Sequence, residues 1–199
     1  MSKTAAGLST RLIAGRLALD FANTASSAPA LTWDEFVAFL ADAKVVTQER
    51  ATRLKSLSVS EPLAVSAVLI KILRLRDSYL TIFSSVARRR IFPSALVEPI
   101  NELLRITEGH DELVQREDGW RLQFIAREDG LDWLLAAIAR SAGELITEGL
   151  EAPIHRCANP KCRLFFYDDS RTRRRRWCSM SICGNRHKVA AFFHRKPKP

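Results

Sequence analysis

The chain of 199 residues has only four cysteines, and none lies in its first 156 residues. A body of that size cannot rest on disulfides and must be held by an ordinary apolar core, for which 47% hydrophobic content suffices. No uncharged apolar run reaches the ~20 residues that a membrane helix needs. The opening Met-Ser-Lys-Thr-Ala-Ala-Gly-Leu-Ser-Thr-Arg is too polar for a signal peptide, so a cytoplasmic protein without membrane contact is expected. A Gly-rich phosphate loop, a nucleophile elbow and metallohydrolase motifs are missing, as is the His-x-Glu with Pro-Cys-x-x-Cys pattern of zinc deaminases. Nothing points to an enzyme, and no internal repeat is apparent. Acidic charge is scarce in one region only: residues 151–199 hold 13 Lys+Arg against 3 Asp+Glu, whereas residues 1–150 hold 18 against 19. A near-neutral body carrying a strongly basic tail implies a polyanionic partner, most simply nucleic acid, DNA or RNA, with an acidic protein as the alternative.

The four cysteines lie inside that basic tail. Cys157 and Cys162, and again Cys178 and Cys183, enclose four residues each, and fifteen residues separate the two pairs. Short gaps let one tight turn present two sulfurs to one ion, and four thiolates complete a tetrahedral set for Zn2+. A closed set leaves no coordination position for water, so a single structural zinc is expected. The competing readings are free or redox-active thiols, and exchange of one sulfur for His155, His187 or His194.

The order of elements follows from periodicity and punctuation. Residues 15–24 are apolar but fit a short strand or a helix equally well. Thr32 followed by Glu35 is a capping box that opens a helix to about residue 43, and a second helix covers about 47–56. Ser60-Glu61-Pro62 starts the longest helix, which runs to Arg90. Another extends from Pro93 to near Gly109. Alternating runs within 112–126 surround Asp118-Gly119 and predict a hairpin. A helix at about 130–148 ends at Gly149, and Glu151-Ala-Pro153 marks the boundary between domains 1–150 and 151–199. In the tail, Leu164-Phe165-Phe166-Tyr167 is expected to pair with the stretch up to Trp177, and a helix starts near Gly184. The fold class is a mainly α N-terminal domain with a small β-hairpin, joined to a small, treble-clef-like four-cysteine finger.

Phe166, Asp168, Ser170-Arg171, Arg175-Arg176-Trp177-Cys178-Ser179-Met180, Cys183-Gly184-Asn185-Arg186 and Lys188 resemble the CGNR zinc-finger family of bacterial proteins. In the body, Gly15-Arg16-Leu17-Ala18-Leu19-Asp20-Phe21-Ala22-Asn23-Thr24, Leu75-Arg76 and Asn101 resemble the ABATE domain that precedes this finger. The resemblance covers nearly the whole chain and is sharpest in the finger. It implies a stress-responsive transcriptional regulator with a helical N-terminal domain and a zinc-binding, DNA-contacting C-terminal module. Asp169 departs from the pattern and puts two acids beside the basic run.

The candidate nucleic-acid contacts are Arg171, Arg173, Arg174, Arg175, Arg176, Arg186, Lys188 and Arg195. On a strand, Arg173 and Arg175 would face away from Arg174 and Arg176, so only half could share one phosphate-facing surface. Phe165, Phe166, Tyr167 and Trp177 could stack on bases but suit a small core beside the metal better. Asn185 is either an adenine contact or a helix cap. Asp20, Asn23, Thr24 and Arg76 form a polar set in an apolar setting: a candidate pocket for a small-molecule effector, against the alternative of local capping and a buried ion pair. The body could also serve as a homodimer contact.

Overall fold

The computed structural model describes residues 12–195 apart from 27, 29, 107, 117, 118, 128 and 129. The ambiguous opening segment is helix α1, Leu17–Asn23, and it lies at the centre of the fold with residues 18–23 all buried. Buried over most of its surface, its polar Asp20 and Asn23 included, it carries no amphipathic period from which its type could be read. Around it pack α4 and α6, spanning Pro62–Val86 and Ala136–Thr147. The Phe21 ring meets Phe36 and Tyr79 edge-on, and Tyr79 continues to Phe83 at 5.5 Å between ring centres. Such tilted and T-shaped pairs add to burial by aligning ring edges with ring faces.

Helix α2, Trp33–Asp42, starts on the expected capping box, with Thr32 and Glu35 exchanging side-chain to backbone hydrogen bonds. Helix α3 runs Gln48–Ser60, further than its polar composition suggests, and Trp33 of α2 donates its indole N–H to Leu54 O at 2.8 Å. Ser60 is the last residue of α3, not the cap of α4, and Glu61 is the joint between the two helices, which meet at 113°. Pro62 then occupies the first turn of α4, where its missing N–H costs nothing. Helix α4 ends at Val86, short of Arg90, because Arg89 takes the left-handed conformation (φ 55°) and the Ser85 carbonyl accepts the N–H groups of Arg88 and Arg90.

Helix α5 spans Glu98–Ile106. Strands β1, Gly109–Arg116, and β2, Gly119–Ala126, form the expected antiparallel hairpin, pairing Leu113 with Leu122 and Arg116 with Gly119. Asp118 of the expected turn lies outside the described residues. The second hairpin differs from expectation. Strand β4, Phe165–Tyr167, pairs with β3, Ile154–Arg156, and not with the stretch leading to Trp177, which forms no strand. Ala152, Ile154 and Phe165 join the core of the helical body, and the Phe165 ring lies 6.4 Å from that of Phe83. Helix α7, Asn185–Arg195, closes the chain after a π-helical turn at Met180–Gly184. Among the described residues, no single helix is long and apolar enough to cross a membrane.

Candidate metal centre and basic surface

Strand β3 delivers Cys157 directly into the first cysteine turn. There the Cys157 N–H donates to Leu164 O, Cys162 N–H donates to Asn159 O, and Asn159 Oδ1 accepts the Lys161 N–H at 3.0 Å. In the second turn the Ser179 carbonyl accepts from both Cys183 and Gly184. A Cβ on Gly184 would stand 2.8 Å from Met180 Sδ, so a larger residue here would have to displace the Met180 side chain.

The four sulfurs come together with all ligand atoms within 4.8 Å of one another. Cys162 Sγ lies 3.5 Å from Cys178 Sγ, which lies 3.7 Å from Cys183 Sγ. A tetrahedron with metal–sulfur bonds of ~2.3 Å has edges of ~3.8 Å, so this spacing fits a zinc ion. A disulfide needs ~2.05 Å, and all four cysteines are free thiols. Asn159 Nδ2 approaches Cys183 Sγ at 3.6 Å, an outer hydrogen bond of the kind that orients a ligand. Two of the histidines face aromatic rings: the His187 ring lies tilted against Trp177 at 4.8 Å and the His155 ring tilted against Phe166 at 5.8 Å. The side chain of His194 lies outside the described residues.

Two of the four thiols, Cys162 and Cys178, are held in the protonated form by burial. Burial pushes the Cys162 thiol up to about 11 and the Cys178 thiol higher still. For Cys183, burial is outweighed by hydrogen bonds from Cys162 and Asn159, and its pKa falls. Loading a metal must therefore displace protons, which makes the site acid-sensitive.

The basic residues separate into an exposed group and one internal strut. Arg171, Arg173, Arg174, Arg176, Arg186 and Lys188 are exposed, whereas the side chain of Arg195 lies outside the described residues. Arg175 turns inward. Its Nε donates to Trp177 O at 2.9 Å, its Nη2 to Cys178 O, and its guanidinium covers the Phe166 ring at 4.8 Å. Asp168 is buried, and its two oxygens accept the N–H groups of Ser170 and Arg175. Burial alone would raise this carboxyl; hydrogen bonds from Ser170 and the Arg175 N–H outweigh it and hold the group below its ordinary value. Those bonds also explain why 168–177 is a loop, since Asp168 takes backbone donors that a strand ladder would need. Asp169 is exposed. Phe165 and Phe166 are core residues, and Asn185 bonds back to Ser181 O at 3.1 Å.

Each member of the polar set in the body bonds to backbone. Asp20 Oδ1 accepts the N–H groups of both Ile13 and Ala14 at 2.9 Å. The Thr24 hydroxyl donates to Phe21 O, and Arg76 Nη1 donates to Ala28 O. Asn23 holds Phe165 in β4, with Nδ2 donating to its carbonyl at 2.9 Å and Oδ1 accepting its N–H at 2.8 Å. Two roles were invisible in the sequence: Asn23 as a clamp on the finger and Arg175 as its internal strut. Their hydrogen-bond partners are backbone groups, which leave no residue-type signature.

Burial raises the Asp20 carboxyl to about 6, against the lowering effect of its two backbone bonds. The sign follows from linkage. The folded state binds this proton more tightly than the unfolded chain, whose value is ~3.9. The stability that Asp20 confers is thus complete at low pH and is lost as pH rises through about 6. Asp20→Asn keeps an oxygen for both N–H groups and removes the titration. Its stability relative to wild type should rise by about 2 kcal/mol between pH 4 and pH 7.5. Parallel thermal-denaturation profiles for the two proteins across that range would contradict this assignment.

A helical body with a four-thiolate finger bonded to its central helix defines a two-part zinc-finger protein. Residues 15–149 match the ABATE family, described as "Putative stress-induced transcription regulator", and residues 154–196 match the CGNR zinc finger. The chain belongs to the ABATE family and carries a CGNR finger at its C-terminal end. Among curated proteins none matches it.

Proposed function

We propose that the protein is a non-enzymatic, zinc-dependent regulator that binds duplex DNA through its finger. The observation carrying this reading is the separation of Arg175 from its neighbours. One arginine and a buried carboxylate brace the 168–177 loop from within, and the remaining guanidinium groups project from a braced scaffold into solvent. Cys157, Cys162, Cys178 and Cys183 would hold Zn2+ as a cross-link, its coordination sphere closed to substrate and water. Arg171, Arg173, Arg174, Arg176, Arg186 and Lys188 supply the phosphate and base contacts. Family membership agrees with a role in transcription.

Binding should weaken linearly with the logarithm of salt concentration, at a slope of about −0.9 per phosphate neutralised. The double variant Arg173→Glu, Arg174→Glu should lose more than about tenfold in affinity and flatten the slope by about two contacts. Arg175→Glu is no probe of the surface, because it removes an internal strut. Affinity indifferent to salt would refute the electrostatic account. Preference for an RNA hairpin over duplex DNA of the same sequence would move the finger to RNA, and binding to neither would leave a protein-docking role.

A further inference from the structure

The described cavity with the richest chemistry lies in the body, away from the finger. It is a cleft of about 440 Å³ between β2, the face of α6 and the α2–α3 connection. That volume suits a small organic ligand. Its walls combine flat rings with cations: the Arg50 guanidinium lies 4.4 Å from the centre of the Trp133 indole, and Arg140 lies 4.4 Å from that of Phe124. Lys44 adds a third cation. The acids on the wall are Asp111, which Arg140 approaches at 3.3 Å, and Glu144. Positive charge is in excess, and the Lys44 ammonium has no acid within ion-pair distance among the described residues.

Lys44 is also conformationally expensive. It follows the C-terminus of α2 with φ 57°, and its N–H closes the helix onto Ala41 O. Glycine is the residue that adopts this left-handed closing position without a Cβ penalty. A lysine here costs stability that glycine would not, and it brings a cation to the rim of the cleft.

We propose that this cleft binds a small planar organic anion, its ring against Trp133 and Phe124 and its carboxylate toward Lys44, Arg50 and Arg140. The ring would share the apolar wall of Ala136 and Ala137, and the carboxylate would displace water from the cationic rim. Ser141 of the same wall accepts the Ala18 N–H at the start of α1, so the ligand would sit one hydrogen bond from the helix that clamps the finger. Ligand binding here does not depend on what the finger contacts.

The test is titration of the full-length, zinc-loaded protein with 1-naphthoate, and with its uncharged amide as control, by calorimetry. Saturable one-to-one binding is expected, weaker by about tenfold or more for the amide. Ala137→Trp, which fills the cleft from an α6 position, should abolish it. Lys44→Gly should raise the melting temperature while weakening naphthoate binding several-fold, a pairing that a purely structural lysine would not produce. Absence of saturable binding, equal affinity for acid and amide, or full affinity in a folded Ala137→Trp variant each overturns the proposal.

Discussion

Replacing Cys157 or Cys178 with serine is expected to reduce bound zinc from one equivalent to none and to melt the chain beyond β4, leaving the helical body intact. The four cysteine sulfurs are the main link between the first turn, the braced loop and α7. Their small cluster adds only Phe166 and partly buried neighbours such as Leu164, Trp177 and Ile182. An apolar cluster of that size cannot offset the conformational entropy of about thirty ordered residues, at roughly 1–2 kcal/mol each for backbone alone. Structural zinc contributes an apparent ~10–16 kcal/mol in comparable modules, so its loss decides whether this part folds. The effect should stop at the hairpin. Ile154 and Phe165 belong to the core of the body, which holds them without metal. Metal analysis with amide exchange checks both halves: protection should vanish over 168–195 and persist over α4 and 154–156. Full zinc content in either variant would remove the metal site, and loss of protection throughout α4 would show that body and finger fold as one unit.

What could be read from the sequence divides by the distance between interacting groups. The Thr32–Glu35 capping box, the first hairpin and the cysteine pairs announce themselves within a few residues, and each appears where expected. The finger's own hairpin does not. Leu164 to Tyr167 alternates too briefly to indicate a partner, and the arginine run after it looked extended. The buried carboxylate of Asp168 decides the matter by accepting the N–H groups of Ser170 and Arg175, which leaves β4 to pair backwards with 154–156. The same principle governs the polar set at Asp20, Asn23, Thr24 and Arg76. As residue types they suggest a ligand pocket; as placed groups they hold backbone. The segment Gly15–Thr24, which carries the sharpest family resemblance in the body, is the one on which the finger's hairpin rests. Ala14 O accepts the Tyr167 N–H at 2.8 Å, and Arg16 covers the Tyr167 ring at 3.9 Å. Asn23 of the same segment bonds to Phe165, and no local period encodes a partner 142 residues away.

Asn23→Ala should be among the most damaging single changes outside the cysteines, costing about 2–4 kcal/mol. Strand β4 has β3 along one edge, where Phe166 pairs with His155. Its other edge presents the N–H and carbonyl of Phe165, and the Asn23 amide satisfies both, as a neighbouring strand would. The site is buried, so truncation leaves two backbone groups without partners or water, at about 1–3 kcal/mol each. In a chain of this size that corresponds to a fall of very roughly 5–15 °C in melting temperature. Asn23→Asp discriminates between lost volume and lost bonding. A carboxylate can still accept the Phe165 N–H, but it faces the Phe165 carbonyl with no proton to donate, so it should be at least as harmful as alanine despite its matching shape. Neither change touches a sulfur, so zinc should remain at one equivalent in the folded protein while proteolysis and amide exchange increase at 13–16 and 164–167. A melting temperature within 1–2 °C of wild type for both variants would show that Phe165 packing against Phe83, and not the Asn23 clamp, holds the finger to the body.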